Sequence, residues 1–172
     1  ISIYSIQAII SIIMIIIYSI YIIFFVNEYK IIFIIQIIYL IGTFFDINWF
    51  FFGMEEFKLT VVRNTIIKII TLMSIFVFVK ESNDLYIYSL ILAMETLISQ
   101  LVLWRFLFKK IIFVKVSFAE IKSNIKPIII LFIPVIAISI YKIMDKIMLG
   151  SMSSVVQVGF YENSEKIIAV PM

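Results

Sequence analysis

Seven polar or ionisable side chains stand inside long apolar runs of this sequence, and they are the residues best able to do chemistry. Carboxylates can hold a proton or a cation, lysines can pair with anions such as phosphate, and amides both donate and accept hydrogen bonds. An ionisable side chain at mid-membrane depth costs about 2.5 to 3.5 kcal/mol, so such groups need water or polar partners. The candidate binding or cavity residues are Asp46, Asn64, Lys68, Glu95, Gln100, Lys142 and Asp145.

The composition places these residues in a membrane protein. The chain has 172 residues, of which 64% are hydrophobic and 15% are charged, and its mean hydropathy is +1.19. Soluble domains carry about 25% charged residues. The apolar residues form runs of about 20 or more, which is the length that a helix needs to cross a bilayer.

Five long apolar segments predict membrane-spanning helices at residues 1–26, 31–53, 61–79, 85–107 and 127–150, and a sixth begins near Val155. Strands of a membrane barrel are about 10 residues long and alternate polar with apolar residues, a pattern that these runs lack. The predicted fold class is an all-α integral membrane protein, a polytopic bundle of transmembrane helices. The chain opens without an initiator methionine or a basic signal segment, so we expect a fragment of a longer protein.

The cations between the apolar segments predict the orientation of the chain. The second and fourth connections carry eight Lys and Arg residues, against two in the first and third. The positive-inside rule therefore puts the second and fourth connections on the cytoplasmic side, together with the first residues of the chain. Residues 108–126 mix lysines with Ile and Phe, and we expect them to lie on the inner leaflet as a basic amphipathic linker.

Several classes of function are disfavoured by what the sequence lacks. Without Cys or His it has no disulfide, no thiolate nucleophile, no zinc site of the usual ligands and no histidine acid–base catalyst. Phosphate-binding glycine loops and the GxSxG motif are missing as well. Because the cations lie between apolar segments rather than on one polar surface, no nucleic-acid partner is expected. We predict that the chain is not an enzyme and holds no metal.

The polar residues of each predicted helix share a face when they are projected at about 100° per residue. Asp46 lies on the same arc as Gln36, Thr43 and Trp49, and it is the strongest candidate because a continuous helix would hold it too deep to reach the interface. Such stripes predict a bundle whose polar faces converge on one hydrated cavity. The stripes of the third, fourth and fifth helices contain Asn64, Lys68 and Thr71; Glu95, Ser99 and the neighbouring Gln100; and Tyr141, Lys142 and Asp145.

Simpler interpretations stand beside the functional one. Lys68 could extend its side chain to the cytoplasmic headgroups, and Lys142 could neutralise Asp145 three residues further along the helix. Glu95 could be protonated in a structural hydrogen bond between helices. Trp49 and Trp104 are of a type that usually anchors a helix at the interface or packs against its neighbours.

Three stretches carry a resemblance to a known family. They are FDINWFFFGMEEFKLTVVRN (residues 45–64), FIPVIAISIYKIMDKIMLG (residues 132–150) and VGFYENSEKI (residues 158–167). In order and spacing they resemble the Wzx family of polysaccharide flippases, in the superfamily that also holds the MATE exporters and MurJ. The resemblance assigns Asp46, Arg63, Asn64 and Lys68 to motifs of the N-terminal lobe, and Lys142, Asp145 and Lys146 to a motif of the C-terminal lobe.

The resemblance implies a MATE-like fold of two six-helix lobes. Residues 1–107 would be four spans at the end of the N-terminal lobe, residues 108–126 the cytoplasmic linker, and residues 127–172 the start of the C-terminal lobe with one full span. The implied function is to move oligosaccharide units linked to undecaprenyl diphosphate across the bacterial inner membrane, for capsule or O-antigen assembly. The implied partners are that lipid-linked oligosaccharide, the bilayer, a polysaccharide polymerase and glycosyltransferases.

In that function Lys68 and Lys142 are the candidates for meeting the diphosphate. A coupling ion, H⁺ or Na⁺, would act at Asp46, Glu95 or Asp145 while one lobe rocks against the other. The alternative is a MATE-like exporter of cationic drugs or metabolites, which a carboxylate-lined cavity would suit. A membrane polymerase or ligase would need a large external loop, and a passive scaffold would not need aligned polar faces.

Overall fold

The computed structural model describes residues 1–111 and 117–168, and every regular element in this part of the chain is helical. The chain divides into two compact units, Ile1–Ile121 and Lys122–Met172. A short 3-10 turn, Ser82–Asp84, precedes the fifth helix. The helices are α1 (Ser2–Phe25), α2 (Lys30–Phe44), α3 (Asn48–Gly53), α4 (Phe57–Phe78), α5 (Leu85–Leu107), α6 (Phe118–Met152) and α7 (Val155–Ile168).

Five helical segments are long and apolar enough to cross a membrane, which confirms the predicted all-α, multi-pass fold class. Each is at least 22 residues long, and about 20 residues span the hydrocarbon core. Their outward surfaces carry exposed Ile, Phe, Leu and Val side chains along most of their length, as expected for helices that contact lipid. The segments are Ser2–Phe25, Lys30–Gly53, Phe57–Phe78, Leu85–Leu107 and Phe118–Met152.

The second span is broken, so the prediction of one continuous helix over residues 31–53 is wrong. α2 ends at Phe44 and α3 begins at Asn48, with Ile47 at a non-helical φ of −127° and ψ of 18°. The Asp46 carboxylate accepts a hydrogen bond from the backbone N–H of Asn48 at 2.9 Å. Asp and Asn side chains compete with the helical backbone in this way. The depth argued for Asp46 from an unbroken helix therefore no longer holds.

The fifth span is longer than predicted. α6 begins at Phe118 rather than at Pro127, and both Pro127 and Pro134 lie inside it. Prolines are tolerated inside membrane helices because neighbouring groups satisfy the freed carbonyls. The last part of the predicted 108–126 linker is thus helical, while its residues 112–116 lie outside the described residues. α7 begins at Val155, where the sequence predicts the sixth segment.

The first unit is a helical bundle packed around the break. Ile47, Phe51, Leu103 and Leu107 are buried together, so the short α3 is fixed against the end of α5. α2 meets α5 closely at Gly42, where a Cβ atom would lie 2.9 Å from Thr96 Cγ2 and close to the α5 backbone. The absence of a side chain at Gly42 therefore allows the close approach of α2 and α5.

Candidate functional site

Side chains from two other helices bind the backbone groups that the break releases. Gln7 of α1 donates from Nε2 to the carbonyls of Thr43 and Asp46 at 3.1 and 2.7 Å. Trp104 of α5 donates its indole N–H to the carbonyl of Phe45 at 2.9 Å. An unsatisfied carbonyl in hydrocarbon costs several kcal/mol, so these side chains make the break possible within the membrane. The break is therefore a stable part of the fold, held by hydrogen bonds from Gln7 and Trp104.

The two Trp side chains of the chain both belong to this region. The Trp49 indole N–H donates to Gln7 Oε1 at 2.9 Å, so the Gln7 amide uses both its oxygen and its nitrogen at the break. Trp104 packs edge-to-face against Tyr4, with ring centroids 5.2 Å apart. Both indole N–H groups therefore take part in the hydrogen bonds around the break, and both rings also pack against neighbours.

Asn48 links one acidic and one basic side chain of the first unit, Asp46 and Arg63. Its Nδ2 donates to Asp46 Oδ1 at 2.8 Å and to Gln100 Oε1 at 3.3 Å, while its Oδ1 accepts from Arg63 Nη2 at 2.9 Å. One neutral amide thus stands between the Asp46 carboxylate and the Arg63 guanidinium. It also connects the break to both α4 and α5.

Arg63 is the centre of this network and is 7% exposed. Its Nη1 donates to the Ser99 carbonyl at 2.8 Å, and its Nη2 also donates to Asn64 Oδ1 at 2.6 Å. Asn64 Oδ1 accepts a further bond from Ser99 Oγ at 3.3 Å. The Nε of Arg63 is buried and has no partner among the described residues. A buried polar group without a partner costs about 1 to 3 kcal/mol, so the Nε of Arg63 is the unsatisfied donor of this network.

Three of the seven predicted residues meet in this network: Asp46, Asn64 and Gln100. Lys68 lies on the exposed side of α4, and it forms no ion pair or hydrogen bond with the part of the chain that the structure describes. Glu95 is half-buried and lines a separate cleft of about 260 Å³ with Thr71 and Ser74. The polar stripes of the first unit therefore divide between an internal network and an accessible cleft.

A larger open cleft of about 800 Å³ runs between α4 and α5. Its walls are mostly Ile, Leu, Val and Phe, and Arg63 borders it with Lys58, Glu55 and Glu56 towards one end. Glu56 forms an ion pair with Lys110. Among residues 1–111 and 117–168 no group of three or more Asp or Glu side chains is placed to hold a metal ion.

The second unit contains the remaining two predicted residues. Lys142 and Asp145 of α6 line an open cleft of about 470 Å³ with Tyr141, Tyr161 and Glu165. The Tyr161 hydroxyl of α7 donates to Asp145 Oδ2 at 3.5 Å, and Lys146 pairs with Glu165 at 3.2 Å. The second and third of the stretches that carry the family resemblance, residues 132–150 and 158–167, thus contact each other. Within the described residues Asp145 forms no ion pair with Lys142. The Lys142 side chain is exposed.

Sequence reasoning missed Asn48, and it placed Trp104 with ordinary anchors. Asp and Asn favour turns and the starts of helices, and they occur at positions 46 and 48 inside a long apolar run. This local signal could have indicated the break. Nothing in the sequence pairs Trp104 with the Phe45 carbonyl, because that contact joins residues far apart in the chain.

The broken span, the buried polar network and the five apolar helices define a polytopic membrane protein with polar groups inside its helix bundle. The chain belongs to the family described as "Polysaccharide biosynthesis protein", whose profile matches residues 1–172. This confirms the family resemblance of the three sequence stretches.

One curated relative is similar over part of the chain. It is a protein of Shigella dysenteriae named "Putative O-antigen transporter", which is 40% identical over 63 residues. That match covers 36% of this chain and 16% of the relative's own length. No solved structure gives a significant match to the chain.

Proposed function

We propose that this chain is part of a flippase that moves undecaprenyl-diphosphate-linked oligosaccharide units across the bacterial inner membrane, for capsule or O-antigen assembly. The observation that carries the proposal is the match of the whole chain to the polysaccharide biosynthesis family. The name of the Shigella relative, which includes O-antigen transport, supports it further. Five apolar helices supply the membrane setting that a lipid-linked substrate requires.

The placement of the cations supports a division of roles. Arg63 is buried and bound by three neighbouring residues, so it holds the bundle together. Lys68 and Lys142 are exposed, and their ammonium groups are available to pair with the diphosphate. The polyprenyl tail stays in the lipid while the glycan head crosses beside the polar groups. Alternating access comes from two lobes that rock against each other, with a polymerase and glycosyltransferases as partners.

The driving ion is H⁺ or Na⁺ in this proposal. Asp46, Glu95 and Asp145 are its candidate sites, and each lies within a membrane-spanning segment. Glu95 lines a cleft beside the Thr71 and Ser74 side chains, while Asp145 borders the cleft that also contains Lys142. All three residues are half-buried, but Glu95 and Asp145 line clefts, whereas Asp46 Oδ1 is bound to Asn48.

Charge reversal at the two lysines tests the substrate. In cells that lack their own flippase and carry the intact protein, Lys68→Glu and Lys142→Glu should each abolish surface polysaccharide, measured on stained gels of cell-envelope glycans. Lys30→Glu is the matched control, because this exposed lysine lies at the start of α2 outside the clefts. Normal surface polysaccharide in both test variants, at equal protein levels, would contradict the proposal.

The alternative is a cation-coupled exporter of drugs or metabolites, which the cleft-lining carboxylates Glu95 and Asp145 favour. Export of a fluorescent cationic dye from the same cells separates the two functions. An exporter would keep or gain dye efflux in Lys68→Glu and Lys142→Glu and would lose it in Glu95→Gln. A flippase would show no dye efflux that depends on the protein.

A further inference from the structure

The guanidinium of Arg63 faces two competing acceptors that flank the same break. Its Nη2 binds the Asn48 amide oxygen at 2.9 Å, and the Asn48 amide nitrogen binds the Asp46 carboxylate at 2.8 Å. Asp46 also interacts with Arg63 electrostatically across this amide. The adjoining Nε of Arg63 is buried without a partner among the described residues. Nη2 also binds Asn64 Oδ1 at 2.6 Å, so on the edge formed by Nε and Nη2 it is Nε that lacks a partner.

A carboxylate suits that edge better than an amide oxygen does. Two parallel N–H donors on one edge of an arginine match the two oxygens of a carboxylate, and such bidentate pairs are stronger than a single bond to a neutral acceptor. Asp46 is a carboxylate linked to Arg63 through the Asn48 side chain, which separates the two. A change of side-chain rotamers at residues 46 and 48 would exchange the two acceptors.

We propose that the break in the second span is a two-state switch, in which Arg63 alternates between the Asn48 amide and the Asp46 carboxylate. In the first state Asn48 ties the break to Gln100 of α5, as observed. In the second state Asp46 binds the Nε and Nη2 of Arg63 directly, and Asn48 is released from α5. The switch therefore loosens the connection between the break and α5 while it tightens the connection to α4.

The exchange breaks the bond from the Asn48 backbone N–H to Asp46 Oδ1, while the other contacts of the break are compatible with both states. Ile47 and Phe51 are buried in an apolar cluster with Leu103 and Leu107, and the exchange requires no movement of these side chains. The backbone of the break is held by Gln7 and Trp104, whose bonds go to carbonyl oxygens and do not involve the carboxylate of Asp46. Arg63 Nη1 can keep its bond to the Ser99 carbonyl in both states.

Fluorine NMR of the intact protein labelled with 5-fluorotryptophan tests the switch. Trp49 adjoins Asn48, and Trp104 binds the Phe45 carbonyl, so the Trp49→Phe and Trp104→Phe variants assign the two reporters. We expect the Trp49 signal to show two populations. Asp46→Asn should deplete the second population about tenfold or more because the bidentate acceptor is lost, and Asn48→Ala should enrich it to a similar extent.

If the two states exchange fast on the NMR timescale, Trp49 gives one averaged signal. That signal should shift in opposite directions in Asp46→Asn and Asn48→Ala. Glu28→Gln is the control, because this exposed carboxylate follows α1 outside the network, and it should leave the Trp49 signal unchanged. Asn48→Ser, which keeps a smaller polar group, replaces Asn48→Ala should that variant not fold. A single Trp49 signal that does not shift between the wild type, Asp46→Asn and the folded Asn48 variant would overturn the switch. The readout needs no transported substrate, so this outcome leaves the proposed flippase function standing.

Discussion

Charged residues are used in opposite ways at the broken second span and at the α6–α7 contact. At the break, Arg63 is 7% exposed and is bound by amides and carbonyls, with Asn48 between it and Asp46. At the α6–α7 contact, Lys146 and Glu165 form a direct ion pair whose side chains are 31% and 39% exposed. The first arrangement buries one charge among neutral groups, and the second leaves two opposite charges partly exposed at the surface of the second unit.

This difference teaches which contacts hold the structure. Removing one partner from a buried charged network leaves polar groups unpaired in a medium of low dielectric constant, which typically costs about 3 to 5 kcal/mol. An exposed ion pair contributes about 0 to 1 kcal/mol because water screens it and the side chains lose freedom. Both Arg63 and Lys146 stand among polar residues in the sequence. Their expected contributions to the free energy of unfolding nevertheless differ severalfold.

The largest effect is expected at Arg63. Arg63→Ala removes the donor for the Ser99 carbonyl and for the Asn48 and Asn64 amides. We expect the free energy of unfolding to fall by about 3 to 5 kcal/mol, seen as a lower thermal midpoint in detergent and less protein in membranes. Arg105→Ala is the matched control, since Arg105 is exposed in the last turn of α5. Equal thermal midpoints for Arg63→Ala and Arg105→Ala would show that Arg63 contributes no more than an exposed arginine. The contrast with the α6–α7 contact would then fail.

The second effect concerns the helix contact that frames the break. A Cβ atom at Gly42 would lie 2.9 Å from Thr96 Cγ2 and 3.3 Å from the Leu97 backbone nitrogen, whereas one at Gly53 would meet nothing within 4 Å. Gly42→Ala should therefore destabilise the bundle by about 1 to 3 kcal/mol, and Gly53→Ala should not. Thermal unfolding of the two purified variants provides the measurement. A tolerated Gly42→Ala would mean that α2 and α5 are not in close contact.

A smaller effect is expected at the α6–α7 contact. Lys146→Ala breaks the ion pair with Glu165, and we expect a loss of about 1 kcal/mol or less because both side chains are partly exposed. Raising the salt concentration should weaken the wild type towards the variant. A loss as large as that of Arg63→Ala would show that this contact is buried and central in the working protein.

The smallest effect lies in the loop before α5. The backbone N–H groups of Lys80 and Glu81 donate to Asp84 Oδ2 at 2.8 and 3.0 Å, and they lower the pKa of this carboxyl below its ordinary value. A lowered pKa in the folded state stabilises the fold above the unfolded pKa, and this stability is lost as pH falls through the folded pKa.

Asp84→Asn should therefore lower the thermal midpoint slightly at neutral pH and make no difference in strong acid. The midpoints of the wild type and the variant, followed from pH 7 downwards, provide the test. A gap between the two midpoints that widens as the pH falls would contradict this sign.

Much of the fold follows from the sequence because a membrane imposes a simple rule. Runs of about 20 apolar residues must be helical to satisfy their backbone, and this predicted the α1, α4 and α5 segments closely. The break at residues 45–47 has a local signal in Asp46 and Asn48, but the contacts that satisfy its carbonyls come from Gln7 and Trp104. These residues are distant in sequence and meet the break only after the bundle has packed.

The candidate site was partly predictable because polar residues of membrane helices usually face the interior of the bundle. Helical projection placed Asp46, Asn64 and Gln100 on inward faces, and these three residues do share one network. Projection cannot distinguish a face that borders open space from one that is closed by internal hydrogen bonds. That distinction is set by Asn48, whose amide joins the groups, and by Arg63, whose charge they surround.

A double-mutant cycle between Asn48→Ala and Arg63→Ala tests most directly that one buried network holds the broken span. The two side chains are joined by a 2.9 Å hydrogen bond, so their effects on the free energy of unfolding should not add. We predict a coupling energy of about 1 to 3 kcal/mol between the two substitutions. If the double variant instead loses the sum of the two single losses to within about 0.5 kcal/mol, the two residues act independently and the network does not hold the break.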